Sequence, residues 1–143
     1  INLMKLSILV PTFNNFLYFN FLINSIKKNS FYEHEIVAHV NDGSDGTLEF
    51  VKNNKIKFTY SKQNIGLCSS MNKAYKISTS DFILYAHDDM YFCKYWDRYL
   101  VNEIKKQKNN LYYLTGINVS TRHGLINYNC GDNIDNFDEN EFL

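Results

Sequence analysis

The stretch Glu35–Thr47, EIVAHVNDGSDGT, decides the fold. Its first half, Glu35–Val40, is a short β-branched and apolar run of the kind that forms a buried strand. It runs into Asn41, Asp42, Gly43 and Ser44, four turn formers in a row. A short helix is then expected over Thr47–Asn53, capped by Asp45 or Thr47. The same unit recurs on both sides. Upstream, Lys5–Val10 (KLSILV) reads as a strand stopped by Pro11. A helix follows over Phe16–Asn29, with Phe16, Phe19, Leu22, Ile23 and Ile26 on one face and Lys27 and Lys28 in the last turn. Downstream, Lys57–Tyr60 is a third strand and Asn64-Ile65-Gly66 a turn. Leu67–Ile77 is a third helix, with Leu67, Met71, Ala74 and Tyr75 expected inward. Phe82–Ala86 (FILYA) is a fourth strand, ending at His87-Asp88-Asp89. Lys94–Gln107 is a helix with Trp96, Leu100 and Ile104 on one side, and Leu111–Gly116 (LYYLTG) reads as a fifth strand. The remainder to Leu143 is polar and loop-like.

Strands that alternate with helices imply an α/β fold: a mostly parallel sheet flanked by helices and joined by right-handed crossovers. Such sheets bind ligands beyond the carboxyl ends of their strands. The polar clusters Thr12–Asn15, Asn41–Ser44 and His87–Asp89 each follow a strand. They are therefore expected to meet at one rim, although far apart in sequence.

Composition narrows the function classes. The chain has 143 residues, of which 45% are hydrophobic and 21% charged, so it can bury a core rather than remain disordered. Lys and Arg total 15, as do Asp and Glu, which leaves no electrostatic drive toward nucleic acid or an anionic membrane. Only two arginines occur, Arg98 and Arg122. The longest apolar stretch, Phe16–Ile26, is broken by Asn20, Asn24 and Ser25 and is too short for a transmembrane segment. Cys68, Cys93 and Cys130 form no Cys-x-x-Cys pair. This argues against a disulfide framework or a zinc site and fits a reducing, cytoplasmic setting, with peripheral membrane association left open. The chain starts at Ile1 and stops in a polar run, so a fragment or processed chain is expected.

Four segments carry candidate chemistry. Asp88-Asp89 places two like charges side by side after a buried strand. A hard divalent cation relieves that repulsion, because Mg2+ and Mn2+ take one or two carboxylates and let substrate phosphates complete the shell. The competing reading is a cap for the next helix. Asp42 can accept from a nucleobase N–H or a ribose hydroxyl, or simply form an Asx turn. Phe13, in Pro11-Thr12-Phe13-Asn14, can stack on a base or fold under the first helix. Asn64-Ile65-Gly66, with Ser69, Ser70 and Asn72, opens a helix whose N–H groups favour anions, or is an ordinary capped helix.

Taken in order, SILVPTFNN (Ser7–Asn15), EIVAHVNDGSDGT (Glu35–Thr47), NIGLCSSMNKAY (Asn64–Tyr75) and DFILYAHDDMYF (Asp81–Phe92) resemble the inverting family 2 glycosyltransferases of the GT-A fold. The resemblance spans about the first 110 residues. It implies a nucleotide-sugar-binding GT-A core over 1–110 and, over 111–143, the start of an acceptor-side region, incomplete. It implies an NDP-sugar donor, with UDP-sugar the first choice, and a glycan, lipid or other hydroxyl acceptor. By the same resemblance Pro11, Thr12 and Phe13 form the base-contacting turn, and Asp42 holds the base. Gly66 and Asn72 border the nucleotide. Asp89 is the metal ligand, with Asp88 a ribose or second metal partner, and Mn2+ or Mg2+ is the cofactor. The first acidic position of the family's Asp-x-Asp motif falls on Ala86, a departure that bears on metal affinity; His87 beside it assists or only packs.

Sugar transfer also needs a base for the acceptor hydroxyl. Asp132, Asp135, Asp138, Glu139 and Glu141 form an acidic run in which nothing singles out one residue, and His123 beside Gly124 reads as a loop histidine. No catalytic base is assigned, and a nucleotide-binding module without transferase activity is the alternative. A nucleotidylyltransferase would need a Gly-rich, basic segment after the first strand, which Pro11–Asn14 is not. A dinucleotide oxidoreductase would need Gly-x-Gly-x-x-Gly, which follows no strand here.

Overall fold

The computed structural model describes residues 4–109, 111–117, 119, 120 and 126–142. His123, Gly124 and Arg122 lie outside the described residues. Four parallel strands form the main sheet: β1 (Leu6–Phe13), β2 (Glu35–Asn41), β3 (Lys57–Ser61) and β4 (Phe82–Tyr85), in the order β3-β2-β1-β4. Helices α1 (Phe16–Asn29), α2 (Thr47–Asn53) and α3 (Leu67–Tyr75) connect them, and α4 (Trp96–Lys106) follows β4. The chain first builds outward from β1 to β3 and then returns to β1's other side with β4. The carboxyl ends of β1 and β4 therefore flank the point where strand order reverses, the crevice in which open α/β sheets take their ligands.

Side-chain alternation splits the core into two layers. Ile8 and Val10 of β1 and Ala38 and Val40 of β2 pack with Phe19, Leu22, Ile23 and Ile26 of α1 and Val51 of α2. Leu9 and Val37, on the opposite face, pack with Ala74 and Met71 of α3. Phe19, Leu22 and Ile23 are fully buried, each contributing about 1.5–3 kcal/mol of hydrophobic stabilisation.

Several boundaries differ from the sequence expectation. β1 is not stopped by Pro11 but continues to Phe13, with Pro11 opposite His39 of β2. Leu9 and Pro11 point their peptide groups to the same side, and the Leu9 carbonyl accepts from Ala86 N at 3.1 Å. β4 pairs only as far as Leu9, so the N–H that proline lacks is not needed by any ladder. α3 ends at Tyr75 rather than Ile77, closed by Ile77 N to Ala74 O at 3.2 Å and Ser78 N to Tyr75 O at 3.0 Å. Its inward face is also different: Leu67 and Tyr75 are exposed, while Ser70 and Ala74 are buried. α4 begins at Trp96 because Tyr95, at φ 62°, cannot lie in a helix.

Leu111–Gly116 is not a strand. It is irregular, and Leu111 and Tyr113 are 93% and 88% exposed. Its aromatic and β-branched content is useful only against a partner strand, and among the described residues none pairs with it. By its contacts the chain divides into Ile1–Tyr99 and Leu100–Leu143. The second unit holds a two-stranded pair, β5 (Val119–Ser120) and β6 (Ile126–Asn127). Short 3-10 turns follow at Ile134–Asn136 and Asn140–Phe142. The acidic run helps form them: Asp138 Oδ1 accepts from Asn140 N at 2.8 Å, and Asn133 caps the first turn. No helix among the described residues is long and apolar enough to cross a membrane, and the three cysteines are free.

Candidate functional site

A cleft of about 410 Å³ opens at the carboxyl rim of the sheet. One wall is the end of β1 and its loop, Pro11 to Asn15; another is Asn64, Gly66, Leu67 and Ser70 at the start of α3; a third is His87 and Asp88 after β4. Asn41, at the end of β2, lies between them.

Asn41 is buried and bonded three ways. Its amide donates to the Thr12 carbonyl and to Ser70 Oγ, both at 3.1 Å, and its oxygen accepts from Ile65 N at 3.0 Å. One side chain thus fixes the end of β1, the turn before α3 and α3 itself. This bond set also explains why α3 buries Ser70 rather than Leu67: a buried amide requires polar partners. Gly66 stands at φ 80°, a conformation that glycine adopts without strain, and its carbonyl accepts from Ser70 Oγ at 2.7 Å.

The loops after β1 and β2 are clasped together. Asn14 and Asp42 both adopt left-handed backbone conformations, φ 44° and 59°, which Asn and Asp tolerate best among non-glycine residues. Asn14 Nδ2 donates to Asp42 Oδ2 at 2.9 Å, and Asn14 Oδ1 accepts from Gly43 N at 2.9 Å. Gly43 has no substitute here, since a Cβ would lie 2.6 Å from Val40 Cγ1 and 2.9 Å from Leu48 Cβ. The N-cap of α2 is Gly46, with no side-chain capping bond, rather than Asp45 or Thr47; Asp45 instead accepts from Thr47 N at 3.1 Å, and its other oxygen takes Phe16 N of α1 at 2.7 Å. Burial pushes this carboxyl up, but the hydrogen bonds from Thr47 and Phe16 outweigh it and leave its pKa lowered.

Asp88 and Asp89 occupy a turn closed by Met90 N to His87 O at 3.4 Å. α4 begins only at Trp96, so neither caps it. Among the described residues neither carboxylate makes a hydrogen bond or an ion pair. Their charge is felt by Tyr85: burial raises its phenol first, and Asp88 and Asp89 raise it further. Tyr85 Oη lies 3.0 Å from His87 Nε2. Ala86 is completely buried in the layer formed with α1, so the family motif's first acidic position supplies no ligand here.

Pro11, Thr12, Phe13, Gly66 and Asp88 line the cleft; Asp42, Asn72 and Asp89 do not. Asp42 is one hydrogen bond away, through Asn14. Asp89 follows Asp88 in the turn, and Asn72 is exposed further along α3. Phe13 is 48% exposed on the cleft rather than folded under α1. Thr12 contributes its carbonyl to Asn41, while its hydroxyl is buried without a partner among the described residues. Asn41, Asn14 and Ser70 sit inside segments that sequence reading singled out, but their bonds to residues more than 25 positions away leave no local signal.

The model of the glycosyl transferase family 2 matches residues 7–133. The chain belongs to glycosyl transferase family 2. Its sheet and flanking helices are the GT-A arrangement of solved glycosyltransferases. S. aureus TarS 1-349 in complex with UDP is 31% identical, matching 72% of this chain and 32% of that one, with a TM-score of 0.64. The same protein in complex with UDP-GlcNAc is 29% identical, matching 71% of this chain and 30% of that one, at 0.57. Mannosyltransferase PcManGT from Pyrobaculum calidifontis, in complex with GDP-Man and Mn2+, shares the fold at 18% identity, 73% and 32% coverage and a TM-score of 0.59. This family 2 chain spans about a third of the length of these structures. No curated protein matches it.

Proposed function

We propose that the cleft binds the nucleoside diphosphate of a UDP-sugar, for metal-assisted transfer of the sugar to a hydroxyl of a glycan, lipid or other acceptor. One observation carries this reading: Asp88 is the only Asp, Glu, Lys or Arg among the described residues lining the cleft. A diphosphate placed there brings more negative charge and meets no lysine or arginine. A divalent cation resolves both problems, and acceptor-only oxygens with no protein donors are what it requires. Among the described residues no group of three or more His, Cys, Asp or Glu gathers into a complete metal set. Asp88 and Asp89 thus fit a cation that shares its shell with phosphate. Mn2+ or Mg2+, when bound, supplies Lewis-acid stabilisation of the departing diphosphate.

The protein's own groups do the rest. Phe13 offers a ring face to the base, and Asp42 an acceptor for a base N–H. The first turn of α3 at Gly66 turns backbone N–H groups toward phosphate, with Asn72 further along the same border. UDP is preferred over GDP as the donor nucleotide by analogy with TarS, at 31% identity. Inversion at the sugar carbon follows the family resemblance. In this reading residues 1–110 form the donor-binding core and 111–143 begin the acceptor side.

Ala86, buried where the motif's first acid would stand, favours a second reading: nucleotide binding without transfer. Calorimetric titration with UDP and GDP, each with Mn2+ or with EDTA, tests the donor reading. UDP binding that strengthens at least tenfold with Mn2+ supports it, and no binding of either nucleotide overturns it. Release of UDP from UDP-GlcNAc then separates transfer or hydrolysis from binding alone.

A further inference from the structure

We infer that Asn14 is a positioning residue that acts on the nucleotide's base through Asp42, an inference that rests on the donor reading above. Asn14 is the only side chain with a described hydrogen bond to the Asp42 carboxylate, and it uses both ends of its amide on this one turn. Nδ2 holds Asp42 Oδ2, and Oδ1 holds the N–H of the next peptide, at Gly43, each at 2.9 Å. Asp42 N is tied separately to the Ser61 carbonyl at 2.8 Å. The backbone on both sides of the carboxylate and one of its two oxygens are therefore fixed. Asp42 Oδ1 takes no hydrogen bond among the described residues and remains the acceptor for a ligand donor. An N–H of a base that meets a carboxylate already oriented loses no affinity to ordering that side chain.

The backbone supports the same assignment. Asn14 and Asp42 are two of the four non-glycine residues with positive φ among the described residues, and they are bonded to each other. Unfavourable backbone conformations persist where surrounding structure enforces them, and they gather at ligand sites. Asn14 also lines the cleft, so the clasp lies at its margin rather than in the core. Because both ends of the Asn14 amide are engaged by Asp42 and Gly43, its influence falls on the base rather than on the phosphates.

The test is a double-mutant cycle on the full chain, read by calorimetric UDP affinity with melting temperature as the folding control. Glycine is the substitution of choice at both positions because it accepts positive φ. Asn14→Gly is expected to weaken UDP by about tenfold, the lower end of what loss of an orienting partner costs at a ligand site. In an Asp42→Gly background the same change should cost nothing more. Losses that add would overturn the inference, because Asn14 would then act independently of Asp42. A second measurement covers failure of the double variant to fold: inorganic pyrophosphate with Mn2+ carries no base. Asn14→Gly should weaken UDP but not pyrophosphate, and equal weakening of both overturns the inference. UDP binding that Asn14→Gly leaves unchanged overturns the clasp alone. Absence of UDP binding by the unaltered chain overturns the donor reading and the clasp together.

Discussion

Glu35 and Asp97 at the amino rim of the sheet and Asp88 and Asp89 at its carboxyl rim are treated in opposite ways. At the amino rim two acids, Glu35 and Asp97, are fully engaged by protein donors. Glu35 accepts from Lys57 Nζ at 2.8 Å, from Thr79 N at 2.8 Å and from the Ser7 hydroxyl, linking β1, β2, β3 and the approach to β4. Asp97, fully buried, accepts from Phe31 N and Tyr32 N and from His34 Nε2, whose other nitrogen takes Leu6 N at 3.3 Å. At the carboxyl rim Asp45 is engaged in the same way, but among the described residues Asp88 and Asp89 accept no hydrogen bond and Asp42 Oδ1 takes none. The engaged acids contribute stability; the open ones on the cleft side contribute little, and in the proposed donor site they would meet a cation and a ligand.

The largest test of that contrast is Asp97→Ala. It strands two backbone N–H groups and a histidine in the interior and should cost about 3 kcal/mol in a urea titration. A loss no greater than that of a surface substitution would break the comparison. Next is Asn41→Ala, which sharpens it because Asn41 is buried and fully bonded at the carboxyl rim. It should cost about 1–3 kcal/mol from unpaired buried groups and also weaken nucleotide binding; stability lost with UDP affinity unchanged would make Asn41 purely architectural.

The third test is pH. Burial lowers the His34 pKa, with Lys5 acting the same way and Asp97 opposing; burial likewise lowers that of His39. Because Leu6 N donates to His34 Nδ1, the proton belongs on Nε2, and protonating Nδ1 breaks that bond. A folded pKa below the unfolded value means that the unfolded chain binds protons first. Stability should therefore be full above about pH 6.5 and decline as pH falls below it. Burial also pushes Glu35 up, but the bonds from Lys57, Ser7 and Thr79 bring it down from 4.5 to about 2, giving a second decline between those values. Chemical denaturation between pH 8 and 3 checks both, and a flat profile would contradict the amino-rim account.

Much of this division was legible in the sequence, and the part that was not shares a physical cause. α1 and α2 fall on the expected residues because their apolar period and turn punctuation are local, and β2 and β3 need only one more residue each. The convergence of three polar clusters followed from parallel strands alone. α3's inward face did not, because Ser70 is buried by a hydrogen bond from Asn41, 29 positions away. Leu111–Gly116 has strand-like composition but gains nothing from it without a neighbouring strand. The open acids could be named from sequence, whereas Asp97 could not: it looks like any first-turn helix acid until Phe31 and Tyr32 are seen to donate to it.

The smallest effect on the free chain is also the most direct test. Asp89→Asn should change the melting temperature of the free protein by no more than a surface substitution does, within about 0.5 kcal/mol. With UDP at a hundred times its dissociation constant, the unaltered chain should gain about 2.7 kcal/mol, and the part of that gain that depends on Mn2+ should vanish in the variant. A variant that loses stability without ligand, or that keeps the full Mn2+-dependent gain, would contradict the claim that the carboxyl-rim acids are held for a cation and a diphosphate.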